Sequence, residues 1–570
     1  MIRRPIVRRP FAASVLPATL DPVIARIYSA RGVASGDELE LGLNRLLPVG
    51  SLDGVGAAAE LIAAQVERGG RILVVGDYDA DGATASALVV RALRRFGHAA
   101  VGYLVPDRFR FGYGLTPEIV ALAAERHPDL IITVDNGVSS LEGVAAARAL
   151  GIEVLITDHH LPGKELPAAS CIVNPNLPGS RFASRALAGV GVAFYVLLAV
   201  GRRLKQPTAL TAELLDLVAL GTVADVVPLD HNNRVLVQAG LERIRAARCV
   251  AGIAALAAVA GRSLATAGTA DLGFFIGPRL NAAGRLEDMS IGIECLITDD
   301  PATAHKLAER LDRLNRERRV IEARMHAEAV EIVRRLHVGE EGARLPGALC
   351  LYDPDWHQGV VGLVASRVKD QVHRPVIAFA QADAGLARGS ARSVSGIHVR
   401  DALEAVATRR PGLIDKFGGH AMAAGLTLGI ARLREFGAEF AAEVERRAEP
   451  GLFEGRLYTD GPLDPAELSL ATAERLRDAG PFGSGFPEPC FDGEFVVVDA
   501  RVLGDKHLKL WLRAAPRTPP HEAIAFGWLT RGGAGVPKLD ARIRLVYRLD
   551  VNEYQGLKRP QLLIDYLEPA

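Results

Sequence analysis

Three aspartates at alternate positions, Asp77, Asp79 and Asp81, could bind a metal ion through their carboxylates. They directly follow an apolar run at 72–75 that is typical of a buried strand, and a stretch of helical composition begins after Gly82. Carboxylates packed this closely raise one another's pKa, and a divalent cation relieves their repulsion. Hard oxygen ligands suit Mg²⁺ or Mn²⁺. The triplet alone leaves a solvated acidic turn as an alternative.

Two later apolar runs, 130–134 and 154–157, also have the pattern of buried strands. Each is followed at once by ionisable side chains: Asp135 after the first, and Asp158, His159 and His160 after the second. Because the carboxyl ends of parallel strands lie at one edge of a sheet, these groups should converge on the aspartate triplet. The sequence therefore predicts an α/β domain with a parallel sheet and a metal site at one edge.

These motifs resemble those of a known superfamily. The sequences Asp-Tyr-Asp-Ala-Asp-Gly at 77–82, Val-Asp-Asn-Gly-Val-Ser at 134–139 and Asp-His-His at 158–160 are similar to successive motifs of the DHH phosphoesterases. A fourth motif at 219–228 supplies Asp225. From about residue 10 onward the chain resembles the RecJ family of single-strand-specific exonucleases. The resemblance implies a parallel-sheet α/β DHH domain, a long connector helix, a smaller α/β DHHA1 domain and a C-terminal OB-like β-barrel.

For the metal centre, the resemblance implies two divalent cations, Mn²⁺ or Mg²⁺. The expected ligands are Asp77, Asp79, Asp81, Asp135, His159 and Asp225. The expected catalytic residues are Asp79, Asp81, Asp135 and His160. We expect His160 to face the scissile phosphate and Asp158 to orient a histidine. The histidine that many DHH enzymes place just upstream of the first motif is Val75 here, and Asp77 is the expected substitute.

Two stretches of the first domain are candidate substrate sites. Arginines alternate with aromatic residues at 106–115, a pattern that suits phosphate pairing and base stacking. On its residues alone this stretch is an ordinary basic loop, whereas the resemblance places it on the DNA path. The glycine-rich stretch 277–286 predicts a phosphate cradle, with a turn bearing surface arginines as the alternative. The candidate contacts are Arg108, Arg110, Tyr113, Arg279, Asn281 and Arg285.

A long helix is predicted after Asp300, a natural N-cap followed by Pro301. One narrow apolar stripe runs along it to about residue 337, which predicts a connector between two domains. A dimeric coiled coil is the less favoured alternative because Arg318 breaks the stripe.

Three loops of the second domain, at 356–367, 388–393 and 416–425, resemble DHHA1 motifs. Their glycines and serines allow close approach to a phosphate, and their basic side chains supply charge. The expected phosphate or nucleotide contacts are Arg367, Ser390, Arg392 and His420. For His420, a role as a capping or core histidine is the alternative.

Five short alternating strands after about residue 458 predict an OB-fold. Lys506, His507, Lys509 and Trp511 could form a platform for single strands, or they could be surface and core residues of the barrel. The expected domains are therefore 1–298, the connector at 299–345, 346–457 and 458–570, with residues 21–49 packed against the first domain.

The composition of the chain limits the classes of protein that it fits. It has 570 residues and a formal net charge of zero, so any positive surface for nucleic acid must be local. Its five cysteines are widely spaced, which argues against a disulfide framework and favours a reducing cytoplasm. We expect no signal peptide and no membrane span, and a monomer.

The resemblance implies an exonuclease that degrades single-stranded DNA from the 5′ end to mononucleotides, in recombination and repair. The implied partners are single-stranded DNA, single-strand-binding protein and a helicase. Two competing functions stay open: a DHH/DHHA1 phosphodiesterase of short oligonucleotides or cyclic dinucleotides, and a RecJ-like DNA-binding scaffold without metals.

Overall fold

The computed structural model describes residues 4–11, 14–106, 111, 114–337, 345–382, 385–529, 535–554 and 556–570. These residues form two compact units. The core unit comprises residues 47–227 and 239–453, and the barrel unit comprises residues up to 46, 228–238 and 454 onward.

Strands and helices are numbered along the chain. The strands are β1 (Ile6–Arg8), β2 (Ile72–Gly76), β3 (Val101–Leu104), β4 (Leu130–Val134), β5 (Glu153–Thr157), β6 (Cys171–Val173), β7 (Leu349–Asp353), β8 (Val376–Gln381), β9 (Leu386–Arg392), β10 (Lys416–Gly419), β11 (Ala423–Gly429), β12 (Leu457–Thr459), β13 (Phe491–Leu503), β14 (His507–Arg513), β15 (His521–Ala525), β16 (Arg542–Tyr554) and β17 (Leu557–Pro569). The helices are α1 (Pro22–Ser29), α2 (Val55–Arg68), α3 (Ala80–Arg95), α4 (Pro117–Ala124), α5 (Leu141–Ala149), α6 (Gly189–Arg203), α7 (Thr208–Ala212), α8 (Leu215–Ala224), α9 (His231–Arg245), α10 (Ala251–Val259), α11 (Thr269–Asp271), α12 (Gly277–Leu286), α13 (Ser290–Ile297), α14 (Pro301–His337), α15 (Val361–Val372), α16 (Val399–Arg409), α17 (Leu433–Arg447) and α18 (Leu470–Asp478).

The first domain of the core unit is built on a parallel sheet with strand order β3-β2-β4-β5-β6. All its strand pairs are parallel, and β2 and β4 are buried along their whole length. Strands buried on both faces need continuous apolar runs, which explains the pattern in the sequence. The predicted parallel-sheet α/β domain is confirmed.

Helix α14 connects the two domains of the core unit and packs against helices of both, including α12 and α15. The Asp300 carboxylate accepts hydrogen bonds from the Thr303 and Ala302 amides, which is the predicted N-cap. The sequence indicated that Arg318 interrupts the apolar stripe of α14, but in the structure Arg318 is part of the packed face. It is buried and pairs with Glu322, which also binds Arg367 of α15. A charge can lie in the seam because it is paired there.

The second domain of the core unit is a mixed sheet with strand order β10-β11-β9-β8-β7. Strands β7 and β8 are parallel, and the remaining neighbours are antiparallel. Helices α16 and α17 cover one apolar cluster, which includes Phe379, Phe436 and Phe440, and α15 belongs to another.

In the barrel unit, β13, β14, β15, β17 and β16 form a closed barrel, as the five predicted strands required. Residues 21–46 belong to this unit, which corrects most of the expectation that residues 21–49 would pack with the first domain, and residues 47–49 belong to the core unit. Strand β1 pairs with β12, and the buried Arg31 guanidinium binds the Asp460 carboxylate at 2.9 and 3.1 Å. Strand β1 has only three residues, so its backbone hydrogen bonds must come from a partner strand. That partner, β12, lies far away in the sequence.

Among the described residues, no single helix combines the length and apolarity needed to cross a membrane, although the bent pair Leu43–Ser51 and Val55–Arg68 meets that test jointly.

Candidate metal centre

The strand register brings the predicted acidic residues together. Gly76 pairs with Val134, and Val134 pairs with Thr157, so β2, β4 and β5 end in one row. The residues that follow these ends are Asp77, Asp135 and Asp158. Asp135 has a φ of 61°, a left-handed conformation that turns the chain sharply out of the strand. The edge predicted from the sequence is therefore the edge where the carboxylates meet.

Three groups of side chains have ligand atoms within 4.8 Å of one another, a spacing suited to a metal ion. They are Asp77 with Asp79 and Asp135; Asp81 with His159 and Asp225; and Asp135 with His159 and His160. Asp135 and His159 each belong to two groups, so the three groups are one continuous cluster. This cluster contains all six predicted metal ligands.

Backbone amides hold two of the carboxylates in place. Asp79 is the N-cap of α3, and its side chain accepts hydrogen bonds from the amides of Asp81 and Gly82 at 3.0 Å. The buried Asp81 carboxylate accepts hydrogen bonds from the first amides of α6, Gly189 at 2.6 Å and Val190 at 2.9 Å. The positive end of a helix stabilises a carboxylate in this position. The sequence indicated a buried helix near residue 189 but not this contact.

The cluster carries more negative charge than a buried site sustains alone. Burial and the neighbouring Asp79 raise the pKa of Asp81 to about 7. Burial and the charges of Asp81 and Asp79 also raise the pKa values of Asp135 and Asp225 well above the usual range. Hard divalent cations bind sites with this oxygen-rich donor set.

His159 provides an independent indication of a ligand. Its Nε2 atom lies 3.1 Å from Asp135 Oδ1 and 3.4 Å from Asp225 Oδ2. This buried nitrogen makes no hydrogen bond of acceptable geometry within the described part of the chain. Burial lowers its pKa to about 3, so the ring is neutral at physiological pH and offers a lone pair. A buried lone pair that faces carboxylates fits a metal ligand.

The adjacent His160 is in the opposite electrostatic state. Burial opposes its charge, but Asp158, whose Oδ1 lies 2.7 Å from His160 Nδ1, outweighs burial and raises its pKa to about 9. Asp158 also accepts hydrogen bonds from the amides of Val138, His159 and His160. Although burial acts to raise the pKa of Asp158, the His160 charge lowers it below its usual value. His160 is therefore a cation at neutral pH, oriented by Asp158 as the sequence predicted.

Comparison with known proteins identifies the family. Three family models match: the N-terminal domain of the DHH family over residues 71–222, the DHHA1 domain over 346–446 and the RecJ OB domain over 459–566. The chain is 49% identical over 566 residues to the single-stranded-DNA-specific exonuclease RecJ of Escherichia coli (strain K12), with 97% of each chain covered.

The chain belongs to the RecJ family.

Solved RecJ structures agree with this assignment. The crystal structure of RecJ in complex with Mn²⁺ from Thermus thermophilus aligns with a TM-score of 0.79 and 32% identity, covering all of this chain and 80% of that one. The Mg²⁺ complex of the same protein aligns with a TM-score of 0.75 and 30% identity, covering all of this chain and 79% of that one. The predicted order of domain types, with DHH, DHHA1 and OB-like domains in turn, is confirmed.

The position of the upstream histidine in the first motif is occupied by Val75, which is part of β2 and buried. The Asp77 side chain lies in the ligand group with Asp79 and Asp135. This placement supports Asp77 as the substitute ligand that the family resemblance implied.

Three predicted phosphate contacts of the second domain, Ser390, Arg392 and His420, lie in the described part of the structure. Ser390 and Arg392 lie on β9 beside the first turn of α15, where a β-carbon on Gly362 would come within 2.8 Å of both side chains. The Arg392 Nη1 atom donates to Ser390 Oγ at 2.9 Å. The His420 ring lies 4.8 Å from the His160 ring. Burial and the charge of His160 lower the pKa of His420 to about 4.

The glycine-rich stretch 277–286, for which a phosphate cradle was predicted, forms helix α12. The Arg279 guanidinium is buried and bound to Asp312 at 2.8 Å, so it is occupied by the protein. Asn281 accepts a hydrogen bond from the Ala80 amide at 2.8 Å. Arg285 donates to the Gly359 carbonyl of the second domain at 3.0 Å. These contacts support the metal loop and join the two domains.

The remaining predicted contacts have other placements. Arg108, Arg110 and Tyr113 lie outside the described residues. Arg367 is largely exposed and binds Glu322 at 3.0 Å, which assigns it to the contact between α14 and α15. In the barrel, the cationic groups of Arg501 and Lys509 each lie 5.0 Å from the centroid of the Trp511 ring. The binding of single strands on this surface stays a prediction.

We expect the metal-free protein to lose stability as the pH rises. Between the ordinary aspartate pKa of 3.8 and about 7, folded Asp81 holds a proton that the unfolded chain releases, so its contribution falls as the pH rises through about 7. The raised pKa of His160 acts in the same direction up to about 9. The lowered pKa values of His159 and His420 act in the opposite direction, but only below the ordinary histidine pKa of 6.5. Thermal unfolding with EDTA should therefore show Tm falling by about 2–5 °C from pH 6.5 to pH 8.

The same measurement with Mn²⁺ should show the larger stabilisation at pH 8, because the metal requires deprotonated carboxylates. Asp225→Asn is the matched variant, since it removes one of the raised carboxyl groups. It should flatten the fall in Tm. A Tm that stays constant or rises between pH 6.5 and pH 8 in the metal-free protein would contradict this account of the charges.

Proposed function

We propose that this protein is a metal-dependent exonuclease that hydrolyses single-stranded DNA from the 5′ end and releases mononucleotides. The observation that carries the proposal is the cluster of six ligand side chains at this edge of the sheet and at the adjoining ends of α3 and α8. It occurs in a chain 49% identical to an Escherichia coli protein named as a single-stranded-DNA-specific exonuclease. The proposed cofactors are two divalent cations, Mn²⁺ or Mg²⁺, and the residues that would hold them are Asp77, Asp79, Asp81, Asp135, His159 and Asp225.

The chain's own residues set up the hydrolysis. When bound, the cations supply a water nucleophile of lowered pKa and neutralise the phosphodiester charge. Asp135 belongs to two of the ligand groups, so its carboxylate would be shared within the donor set when metal is bound. His160 is held by Asp158 with a positive charge, so it can stabilise the negative charge on the phosphate and donate a proton to the leaving oxygen.

The phosphate of the substrate is bound from the second domain. Ser390 and Arg392 lie on β9 and face the N-terminal turn of α15, where amide hydrogens and a guanidinium together favour an anion. His420 lies beside His160 and adds a hydrogen bond on the same side of the centre. Arg108, Arg110 and Tyr113 complete the path for the strand in this proposal.

The proposed cellular setting is recombination and DNA repair in the cytoplasm. There the enzyme acts as a monomer on single strands that a helicase exposes and single-strand-binding protein covers. The match of residues 459–566 to the RecJ OB domain favours long single strands over short oligonucleotides or cyclic dinucleotides as substrates. The complete set of ligands disfavours a metal-free scaffold.

Digestion of a long single strand, labelled at either end, tests the proposal directly. With Mn²⁺ or Mg²⁺ we expect early loss of the 5′ label as mononucleotide and little attack on the matching duplex. The Asp79→Ala protein should be inert, since it loses both a ligand and the N-cap of α3. Early loss of the 3′ label, or cleavage confined to the shortest fragments, would overturn the proposal.

A further inference from the structure

The loop that follows β6 binds the backbone of the Asp-His-His motif. The Asn174 side chain is completely buried, and its Nδ2 atom donates to the His160 carbonyl at 2.9 Å. The Asn176 Nδ2 atom donates to the His159 carbonyl at 2.6 Å. We propose that Asn174 and Asn176 are positioning residues of the metal centre, which fix the two histidines through their main chain.

The fold explains why these asparagines reach the motif. Strand β6 runs parallel to β5, with Thr157 opposite Val173, and the Asp158 amide donates to the Val173 carbonyl at 3.1 Å. Asn174, the residue after Val173, therefore lies beside the motif. The two asparagines therefore lie at the same edge of the sheet as the aspartates of the metal centre. Their amide side chains are neutral, so we do not propose them as metal ligands.

Pro175 makes this loop stiff. Its ring fixes its own φ and restricts Asn174 to extended backbone. The Asn176 amide returns to Asn174 Oδ1 at 2.8 Å, so each asparagine also holds the other. The rigid loop therefore holds the side-chain amides of both asparagines in a fixed position, where they donate to the carbonyls of His159 and His160.

Asn176 extends this support to the acid side of the centre. Its Nδ2 atom also donates to the Arg185 carbonyl, at 3.2 Å, in the segment that leads into α6. The first amides of α6 bind Asp81. The Asn176 side chain therefore links the segment of the two histidines, after β5, with the segment before α6, whose first amides bind the Asp81 carboxylate.

The inference rests on the proposed role of His159 as a ligand. Its Nε2 atom lies 3.1 Å from Asp135 and 3.4 Å from Asp225, so a small shift of its backbone moves the nitrogen out of both ligand groups. Metal sites lose affinity when the residues that orient their ligands are changed, typically by roughly 10–100-fold. A loop with a merely structural role would change Tm without changing metal affinity.

The test replaces each amide donor by an acceptor of the same shape. Asn174→Asp and Asn176→Asp place a carboxylate oxygen against a carbonyl oxygen, and Mn²⁺ affinity is measured by calorimetry on the full-length protein below its Tm. We expect Mn²⁺ binding to weaken roughly 10–100-fold in both variants. Exonuclease activity should recover when Mn²⁺ is raised to saturation. Asn176→Ser, which adds no charge, serves if an aspartate variant does not fold.

Asn315→Asp is the matched control, because Asn315 is fully buried on α14 and its Oδ1 accepts from Arg318. This control should bind Mn²⁺ like the wild type. Wild-type affinity in the Asn174 and Asn176 variants would overturn the inference while leaving the proposed function intact. Failure of the wild type to bind Mn²⁺ would instead overturn the proposed function.

Discussion

Asp135→Asn should lower exonuclease turnover by roughly 10²–10³-fold while the metal-free protein becomes more stable to heat. Asp135 belongs to two of the three ligand groups, so its replacement removes a carboxylate that both of those groups would offer to a metal. Asparagine keeps the fold because it tolerates the φ of 61° that this position requires. The gain in metal-free stability follows from the raised pKa of Asp135, which shows that its ionised form is unfavourable in this cluster.

Turnover on single-stranded DNA and Tm in EDTA should be measured for the same Asp135→Asn preparation. Asp216→Asn is the matched control: Asp216 is a buried aspartate that binds the Val250 amide at 2.6 Å and belongs to none of the ligand groups. It should retain activity. An Asp135→Asn protein that is active but unstable would show that this carboxylate supports the fold and not the chemistry.

The metal centre could be predicted from the sequence because its determinants are local. Each ligand of the sheet edge follows a buried apolar run, and parallel strands with aligned ends bring such residues together whatever connects them. Asp225 was predicted from the family resemblance, through the fourth motif, and its position at the C-terminal end of α8 supported that role because an acid is unfavourable there without a compensating charge. No pattern of this kind points to Asn174 or Asn176, whose role depends on the pairing of β6 with β5.

The errors concern partners that lie far apart in the chain. The arginines of 277–286 looked available for phosphate, but the partner of Arg279 is Asp312, on a different helix. The family resemblance implied that residues 21–49 pack against the first domain. Their contacts include the Tyr28 hydroxyl donating to the Ala479 carbonyl, in the last part of the chain. Composition and spacing show which groups a segment offers but not which distant group occupies them.

Gly284 of helix α12 is needed because no side chain fits at its position. The Gly284 α-carbon lies against the metal loop, and a β-carbon there would overlap the carbonyl oxygen of Tyr78, which lies between Asp77 and Asp79. Three residues earlier on the same helix, Asn281 accepts a hydrogen bond from Ala80. The small residues in this helix therefore let it approach the backbone that presents the first three carboxylates, whereas the sequence suggested an approach to phosphate.

Gly284→Ala should accordingly weaken Mn²⁺ binding and lower exonuclease turnover by roughly 10²-fold, because the added methyl group must displace the Tyr78 backbone. Calorimetry with Mn²⁺ and digestion of a labelled single strand measure the two effects. Gly56→Ala in α2 is the control, since a β-carbon there meets no atom within 4 Å. That control should be fully active and slightly more stable, because alanine favours the helix. Normal Mn²⁺ affinity in Gly284→Ala would mean that the metal loop adjusts without α12, and the role of this helix would then be confined to joining the domains.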